Sequence, residues 1–312
     1  MKNAPNLELS LLARQWGATA VPFGELSADA WLETPAGQRA LALLQQTATL
    51  RSVLLLSGPN GVGKSALVSR WLSGLDRRLF SPLLLTQATL SSSGVLSAVT
   101  AKLGKAPRGQ RVLNLNLIEM ALTELGKAVP IIILDDAQNL AYGSLEEVRL
   151  LLGLNLAEPP AFSLVLIGDE YLLGGLRLRQ HRSLFSRIAC QVSLGPWTAS
   201  QVGQYVQQSF AAVGINRNAI EPAALNLLTS ASGGLARSLC LLARAAWIEA
   251  TTAGAQNIEP AHVQTAIERV PGVAGVSLPP AESCGRSGWC LNPEAVSGTL
   301  GPEAIPKGQE RT

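Results

Sequence analysis

The sequence predicts an α/β protein with a mostly parallel sheet of five strands, followed by an all-helical C-terminal domain. Three observations carry this prediction. Apolar runs of strand length alternate with helical patterns up to about residue 194, as in sheets whose strands are joined by right-handed crossovers. A glycine-rich turn joins the first of these strands to the helix after it. From Thr198 onwards the apolar spacing is helical only.

The predicted elements up to residue 194 follow from this spacing. Thr34-Pro35 has the N-cap residue and first-turn proline that begin a helix before the first strand. The predicted strands are short apolar runs: Ser52–Leu56, Pro82–Thr86, Ile131–Leu134, Ser163–Ile167 and Ile188–Leu194. The helices between them run from the glycine-rich turn to about Leu75 and over Gly94–Leu103, Leu113–Leu125 and Ser144–Leu152.

The C-terminal third is predicted to be a small helical bundle with a tail. Its four helical segments are Thr198–Ala212, Glu221–Ser230, Leu235–Ala253 and Glu259–Arg269. Beyond Pro271 the chain is rich in Gly, Pro and Ser and has no periodicity. Such a composition cannot bury enough apolar surface to fold alone, so we expect a disordered tail.

Composition limits the class of protein. Hydrophobic residues make up 47% of the 312 residues and charged residues 15%, which favours a globular α/β chain over a disordered one. The longest uncharged apolar stretches are strand-length, and no apolar run follows Lys2 as in a signal peptide. The four cysteines at positions 190, 240, 284 and 290 lack zinc-site spacing. We therefore expect a reduced, cytoplasmic protein without a membrane partner.

The glycine-rich turn matches the pattern G-x-x-x-x-G-K-[ST] between a strand and a helix. Its residues are Gly58, Pro59, Asn60, Gly61, Val62, Gly63, Lys64 and Ser65. Glycines let successive N–H groups point inward at a phosphate, and the helix start adds its positive dipole end. Lys64 would reach the β- and γ-phosphates, and the Ser65 hydroxyl would ligate Mg²⁺. The turn predicts that ATP and Mg²⁺ are bound here.

Two carboxylates follow the apolar strand Ile131–Leu134 directly. A residue at the carboxyl end of a central parallel strand lies beside the phosphate loop, in the crevice where such sheets bind ligands. Asp135 is therefore predicted to hold Mg²⁺ through water. Asp136 is predicted to act as the catalytic base that polarises the attacking water.

Two runs of cations contain no intervening acid. Lys102, Lys105, Arg108 and Arg111 form the first, and Arg177, Arg179, Arg182 and Arg187 form the second. With a net charge of only +3, an ordinary solvated face is the favoured interpretation of either run taken alone. In a ring or filament of subunits, each copy of the first run would add the same small cationic patch along one duplex, so we predict that this run binds double-stranded DNA.

The phosphate loop, the acid-bearing strand and the helical C-terminal domain together resemble the AAA+ ATPases. The chain is similar to their ExeA-type group, which shares its ATPase module with transposition regulators such as TniB, TnsC and the Mu B protein. The supporting positions are Trp16-Gly17 with Pro22-Phe23, the run Asp135–Leu140, Ile167–Asp169 and Ser232–Arg237. The likeness covers about residues 14–270.

The pattern along the chain predicts four domains: an N-terminal segment and helix (1–45), an α/β nucleotide-binding domain (46–196), a helical lid (197–270) and the tail (271–312). The resemblance implies further site residues. Asp169 would be the sensor at the end of the fourth strand, and Arg237 the sensor arginine that reports the γ-phosphate to the lid. Arg182 or Arg187 would be the arginine finger that reaches a neighbouring subunit's ATP.

The sequence departs from the family pattern at two of these positions. The family usually has Asp-Glu where this chain has Asp135-Asp136, so the predicted base is one methylene shorter. The sensor position usually holds a neutral amide or hydroxyl, where this chain has Asp169. Both departures would slow hydrolysis without preventing ATP binding, and we expect a slow ATPase.

The resemblance leaves three functions open. The first is a DNA-transposition regulator that oligomerises on double-stranded DNA in the ATP state and recruits a transposase, with hydrolysis as the release step. The second is an ExeA-like export or pilus-assembly ATPase, which would have a membrane span after the ATPase module; we expect none here. The third is a helicase-loader type of adaptor. The first is the favoured hypothesis, with a ring or filament of subunits as its active form.

Overall fold

The computed structural model describes residues 4–24, 31–86, 94–140, 142–154, 161–215 and 218–271. The predicted disordered tail lies, apart from its first residue, outside the described residues. All of the described residues lie within one compact unit, Met1–Val276.

A five-stranded parallel sheet forms the centre of the first two thirds of the chain, as the sequence predicts. Its strands are β1 (Val53–Ser57), β2 (Phe80–Leu85), β3 (Val129–Leu134), β4 (Ser163–Gly168) and β5 (Cys190–Ser193), in the spatial order β2-β3-β4-β1-β5. Strand β1 pairs in parallel with β4 on one side and β5 on the other. The carboxyl ends of β1, β3 and β4 therefore meet at one edge of the sheet, where ligands bind in such folds.

Helices cover both faces of this sheet. They are α2 (Pro35–Leu50), α3 (Lys64–Ser73), α4 (Gly94–Lys102), α5 (Arg111–Glu124), α6 (Tyr142–Leu151), α7 (Glu170–Arg177) and α8 (Arg182–Phe185), after the N-terminal α1 (Ala4–Gln15). Helix α2 begins as predicted, because the Thr34 hydroxyl accepts a 3.0 Å hydrogen bond from the N–H of Gly37. The helix crosses the domain boundary expected between residues 45 and 46 and packs on the sheet through buried Ala40, Leu44 and Ala48.

Four helices form the predicted lid. They are α9 (Ala199–Ala211), α10 (Pro222–Ser232), α11 (Ala236–Thr252) and α12 (Pro260–Arg269). Thr198 and Gln201 cap the start of α9 reciprocally, which satisfies two backbone N–H groups that the helix leaves unpaired. Trp247 and Tyr205 are the largest fully buried side chains of the lid. Across the described ranges, no helix is both long and apolar enough to cross a membrane.

The segment after α1 packs against the lid core. Trp16 stacks on Phe210 with ring centroids 6.2 Å apart, and Phe23 meets the same ring edge-on at 5.0 Å. The Arg244 guanidinium of α11 donates two hydrogen bonds, of 3.0 and 2.6 Å, to the carbonyl oxygen of Phe23. The predicted N-terminal domain is thus divided: residues 13–23 join the lid core, and helix α2 joins the core of the sheet.

Candidate nucleotide-binding site

The phosphate loop has a backbone that only glycine allows at two positions. Gly58 lies at φ 151°, and a Cβ atom there would collide with the carbonyl oxygen of Leu194. Gly61 lies at φ 83°, and a Cβ atom there would meet the Arg237 side chain at 3.1 Å. The loop therefore fits tightly between the strand β5 region on one side and the lid on the other.

Lys64 folds back onto this loop. Its ammonium group donates hydrogen bonds to the carbonyl oxygens of Gly58, at 2.7 Å, and Pro59, at 3.1 Å. Burial lowers the pKa of Lys64, while the nearby carboxylates of Asp169, Asp136 and Asp135 oppose that shift. The first residue of α3 is thus a largely buried cation with acids around it, at the point where a phosphate would bind.

The two acids after β3 differ in where they point. Asp136 is exposed, adopts a left-handed conformation at φ 52° and lines the cavity beside the phosphate loop. Asp135 is half-buried, is not among the residues that line this cavity, and its Oδ1 accepts a 2.9 Å hydrogen bond from the N–H of Asp136. Of the two, Asp136 is the residue that lines the cavity.

Asp169 has a structural role that its sensor prediction does not include. It follows β4 as expected, but its Oδ1 accepts hydrogen bonds from the N–H groups of Tyr171, at 3.0 Å, and Leu172, at 3.3 Å. It therefore caps the N-terminus of α7. Its side chain is buried and is not among the residues lining the cavity. One of its two carboxylate oxygens is engaged in the helix cap.

Arg237 lies where the lid meets the phosphate loop. Its backbone N–H donates a 2.9 Å hydrogen bond to the carbonyl oxygen of Gly61, and its exposed side chain lines the cavity. Because Gly234, two residues before α11, packs against Trp197, the start of this helix is also fixed to the chain leaving the sheet. The sequence-predicted sensor arginine therefore adjoins the loop that it is predicted to read.

A cavity of about 600 Å³ joins these groups. Its volume is typical of small-molecule sites. The side chains and loop residues that line it include Asn60, Gly61, Gly63, Lys64, Ser65, Asp136, Gln138, Asn139, Arg237, Cys240 and Leu241. Loop residues and an acid thus face the lid arginine across one space, which has the size and polarity to hold phosphates.

A second, more apolar pocket of about 240 Å³ shares Gly63, Ala66 and Ala236 with this cavity. Trp31 and Trp197 contribute aromatic rings to it, and the Arg70 guanidinium lies 5.0 Å from the Trp31 ring centroid. Apolar walls beside a polar cavity are what a ligand with a flat base and a phosphate chain requires. The sequence analysis missed this pocket, since its lining comes from four separate segments.

The donor atoms for Mg²⁺ are few. Ser65 is exposed at the cavity, and Asp135 follows β3, which β4 separates from β1 in the sheet; both residues offer the oxygen ligands that this ion prefers. Within the described part of the chain, no group of three or more His, Cys, Asp or Glu side chains is placed to hold a metal. The residues fit an ion that takes most of its ligands from phosphates and water, as Mg²⁺ does beside a nucleotide.

The predicted DNA-binding run is partly neutralised. Lys105 pairs with Glu124 at 2.7 Å, and Arg111 pairs at 3.2 Å with Glu147, whose side chain is buried. Buried Asn114 clamps the loop between them through the backbone N–H and carbonyl of Arg108, at 2.8 and 2.7 Å. The run lacks acids in sequence, but the fold supplies two from other elements. Lys102 and Arg108 remain as its exposed cations without a recorded acid among the described residues.

The second basic run stays exposed. Arg177, Arg179, Arg182 and Arg187 are all exposed around α7 and α8, and no ion pair is recorded for them with any described acid. Arg187 donates to the Ser183 carbonyl, at 3.1 Å, and hydroxyl, at 3.0 Å. Neither Arg182 nor Arg187 lines the cavity of its own chain, as a finger supplied to a neighbouring subunit requires.

Gln138 is a cavity residue to which the sequence analysis gave no role. It lies on a single 3₁₀ turn, Ala137–Asn139, directly after Asp136. Its Nε2 donates a 3.2 Å hydrogen bond to Oδ1 of Asp136. The one signal in the sequence is its position two residues after the predicted base, which becomes informative only once the turn is known.

The five-stranded parallel sheet, the phosphate loop with its cavity and the helical lid are the features of a P-loop NTPase fold of the AAA+ class. Comparison with known proteins agrees: residues 47–176 match the family described as the AAA domain. The general secretion pathway protein A of Aeromonas hydrophila is 32% identical over 143 residues, which are 46% of this chain and 26% of that protein. Most of that relative's length therefore lies outside the match.

Solved structures share the fold over more of the chain. The ORC2 protein of Aeropyrum pernix, in its ADP form, superposes with a TM-score of 0.60 at 15% identity, over 79% of this chain and 71% of that one. The ORC1 protein of the same organism, in complex with DNA, gives a TM-score of 0.58 at 22% identity, over 77% and 67% of the two chains. At these identities the likeness is one of fold.

Proposed function

We propose that this protein is an ATPase that binds ATP and Mg²⁺ between the sheet and the lid and hydrolyses the γ-phosphate slowly. The observation that carries the proposal is the single cavity that brings Lys64, Asp136 and Arg237 together. Lys64 would leave the loop carbonyls to pair with the β- and γ-phosphates. Asp136 would accept a proton from the attacking water, and Arg237 would contact the γ-phosphate.

Nucleotide state would be transmitted through the lid. Arg237 bonds to the phosphate loop through its backbone, while its side chain faces the cavity, so γ-phosphate binding would act on the start of α11. That helix also holds the N-terminal segment through Arg244 and Phe23. A slow ATPase with this connection would serve as a switch whose ATP state persists long enough to recruit a partner.

The switch would act on double-stranded DNA, as a transposition regulator that assembles in the ATP state and recruits a transposase. Two surfaces support a polyanion as partner: the exposed Lys102 and Arg108, and the four exposed arginines around α7 and α8. The fold is also that of an ORC1 protein whose structure contains DNA. Since phosphates carry no base identity, binding would be insensitive to sequence and steeply weakened by salt.

A duplex-binding titration tests the DNA partner. Wild type should bind in the presence of a non-hydrolysable ATP analogue and weakly without it, because assembly multiplies one small patch along a duplex. Replacing Lys102 and Arg108 with Ala should reduce the salt slope by roughly 2 if both cations contact phosphate. Replacing Arg78 and Lys127, two exposed cations outside both runs, provides the matched control. Equal binding by the test and control variants would eliminate this loop as the contact.

An export ATPase is the second candidate function, because the Aeromonas relative is a general secretion pathway protein. That match spans 143 residues and only 26% of the relative, and an ATPase module of this length would be shared by either function. The same titration separates the two. Absence of duplex binding by wild type in every nucleotide state, at low salt, would remove the transposition hypothesis and favour the export hypothesis.

A further inference from the structure

The Gln138 amide lies in the cavity wall in a position that lowers the stability of the folded state. Its oxygen, Oε1, is buried and has no hydrogen-bond partner among the residues that the structure describes, although Nε2 of the same amide donates a hydrogen bond to Asp136. Leaving a buried acceptor without a partner costs free energy, so natural structures contain few of them. An apolar side chain of similar size would fill the space without that cost. The amide therefore calls for an explanation other than packing.

The space around Oε1 shows how closely the amide is held. Gly168, at the end of β4, has no side chain, and a Cβ atom there would lie 3.0 Å from Oε1. The amide is thus seated between the end of β4 and the turn after β3, with its N–H group towards Asp136. Leu172 of α7 packs over the same glycine and limits the room further.

The Asp136 carboxylate is oriented by a donor from the turn that directly follows it. The residue is exposed and has a left-handed backbone, and the Nε2 of Gln138 is the hydrogen-bond donor recorded for its side chain within the described ranges. A general base is effective only when its oxygen lies within hydrogen-bond reach of the water that it activates. A small displacement of such a group lowers the rate without changing how tightly the substrate binds.

We infer that Gln138 is a positioning residue for hydrolysis, an inference that rests on the proposed ATPase function. Its amide N–H holds the Asp136 carboxylate in the orientation that accepts a proton. In the step that this serves, the water oxygen forms a bond to the γ-phosphorus while the bond from that phosphorus to the bridging oxygen breaks. ADP leaves with the electron pair, and one proton of the water passes to Asp136. An amide that places its N–H group beside Asp136 also buries its oxygen, Oε1, which lowers the stability of the folded state.

The test compares Gln138→Leu with wild type in nucleotide binding, hydrolysis and thermal unfolding. The leucine removes both the donor and the unpartnered oxygen, so the variant should be at least as stable as wild type. Its kcat should fall by about ten- to a hundredfold, and its affinity for ATP should stay within about twofold. Gln204→Leu, at an exposed position on the lid, makes the same chemical change away from the cavity and should leave all three measurements unchanged.

A double-mutant cycle distinguishes positioning from a general structural effect. Because Gln138 acts through Asp136, adding Gln138→Leu to Asp136→Asn should lower the residual rate no further. Additive effects would overturn the inference. Gln138→Glu, which keeps the size and replaces the donor by a like charge, should also lower kcat and serves if the leucine variant does not fold.

The remaining outcomes separate the inference from the proposed function. If wild type hydrolyses ATP and Gln138→Leu does so at the same rate, the inference is wrong and the ATPase stands. A loss of ATP affinity equal to the loss of rate would make Gln138 a binding residue and also overturn the inference. If wild type binds ATP without hydrolysing it, both the inference and the hydrolysis fail, while nucleotide binding remains. If wild type binds no nucleotide, the proposed function itself fails.

Discussion

The backbone N–H of Arg237 donates a 2.9 Å hydrogen bond to the carbonyl oxygen of Gly61, and so joins the first turn of lid helix α11 to the phosphate loop. The bond uses no side-chain atom, which leaves the guanidinium of Arg237 facing the cavity. The helix is therefore attached to the loop independently of whatever its arginine binds. The backbone of Arg237 attaches the helix to the loop, and its side chain is available to a ligand. Mutation of the side chain tests the second role without removing the first.

Replacing Arg237 with Ala should change nucleotide preference more than stability. Without the guanidinium, affinity for ATP should fall by about tenfold, whereas affinity for ADP should stay within about twofold, because the lost contact is to the γ-phosphate. The melting temperature should change little, since the bond to Gly61 remains. Arg244→Ala should give the opposite pattern, because Arg244 anchors Phe23. Equal loss of ATP and ADP affinity would contradict the sensor role.

Replacing Lys64 with Ala should abolish tight nucleotide binding. The backbone of the loop would remain, but the β- and γ-phosphates would lose their buried cation, which predicts a loss in ATP affinity of about 10- to 100-fold or more. Titration with a fluorescent ATP analogue measures this, with Lys127→Ala as the control at an exposed site. Unchanged affinity in Lys64→Ala would exclude this cavity as the ATP site.

Mixing two inactive variants should restore ATPase activity if an arginine finger is supplied by a neighbouring subunit. One variant carries Lys64→Ala, and the other carries Arg182→Ala with Arg187→Ala. Mixed assemblies contain interfaces at which an intact phosphate loop faces an intact arginine, so some activity should return.

The single arginine variants should also differ. The Arg187 guanidinium is already hydrogen-bonded to Ser183, whereas no hydrogen bond or ion pair of the Arg182 side chain is recorded among the described residues, so Arg182→Ala should lower the rate more. Inactivity at every mixing ratio, with mixed assembly verified by crosslinking, would argue against a finger supplied in trans.

Replacing Glu147 with Gln should alter how stability depends on pH. Burial raises the pKa of Glu147 above its ordinary value of 4.5, even though Arg111 and backbone N–H groups oppose the shift. The folded state therefore binds more protons than the unfolded state between the two pKa values. The contribution of protonated Glu147 to the free energy of unfolding is fully present below the pKa of the unfolded state. It is lost as pH rises through the pKa of the folded state.

Urea unfolding across this pH range measures the effect. The unfolding free energy of wild type, relative to Glu147→Gln, should decrease as pH rises from 4.5 towards neutrality. Glu124→Gln removes an exposed carboxylate from the same basic segment and serves as the control. A difference between wild type and Glu147→Gln that does not vary with pH would contradict the raised pKa.

The fold pairs two cations of the first basic run with acids that the sequence pattern did not reveal. Lys105 and Arg111 have no acid near them in sequence, yet Glu124 and Glu147 reach them from α5 and α6. A charge pattern along a chain cannot include partners from elements that become neighbours only on folding. The DNA prediction for this run is therefore weaker than its sequence indicated, and Lys102 and Arg108 carry what remains of it.

The sequence by itself determined the five parallel strands, the phosphate loop and the helical lid, because apolar periodicity and glycine placement are local properties of a chain. It also located Asp136, which follows a predictable strand by two residues, whereas Arg237 was assigned from the family resemblance. Only the tertiary structure showed that Gln138 donates a hydrogen bond to Asp136 and that one carboxylate oxygen of Asp169 caps helix α7. Those roles depend on atoms brought together from β3, β4 and α7, and the distances between such atoms are set by packing, which no local pattern encodes.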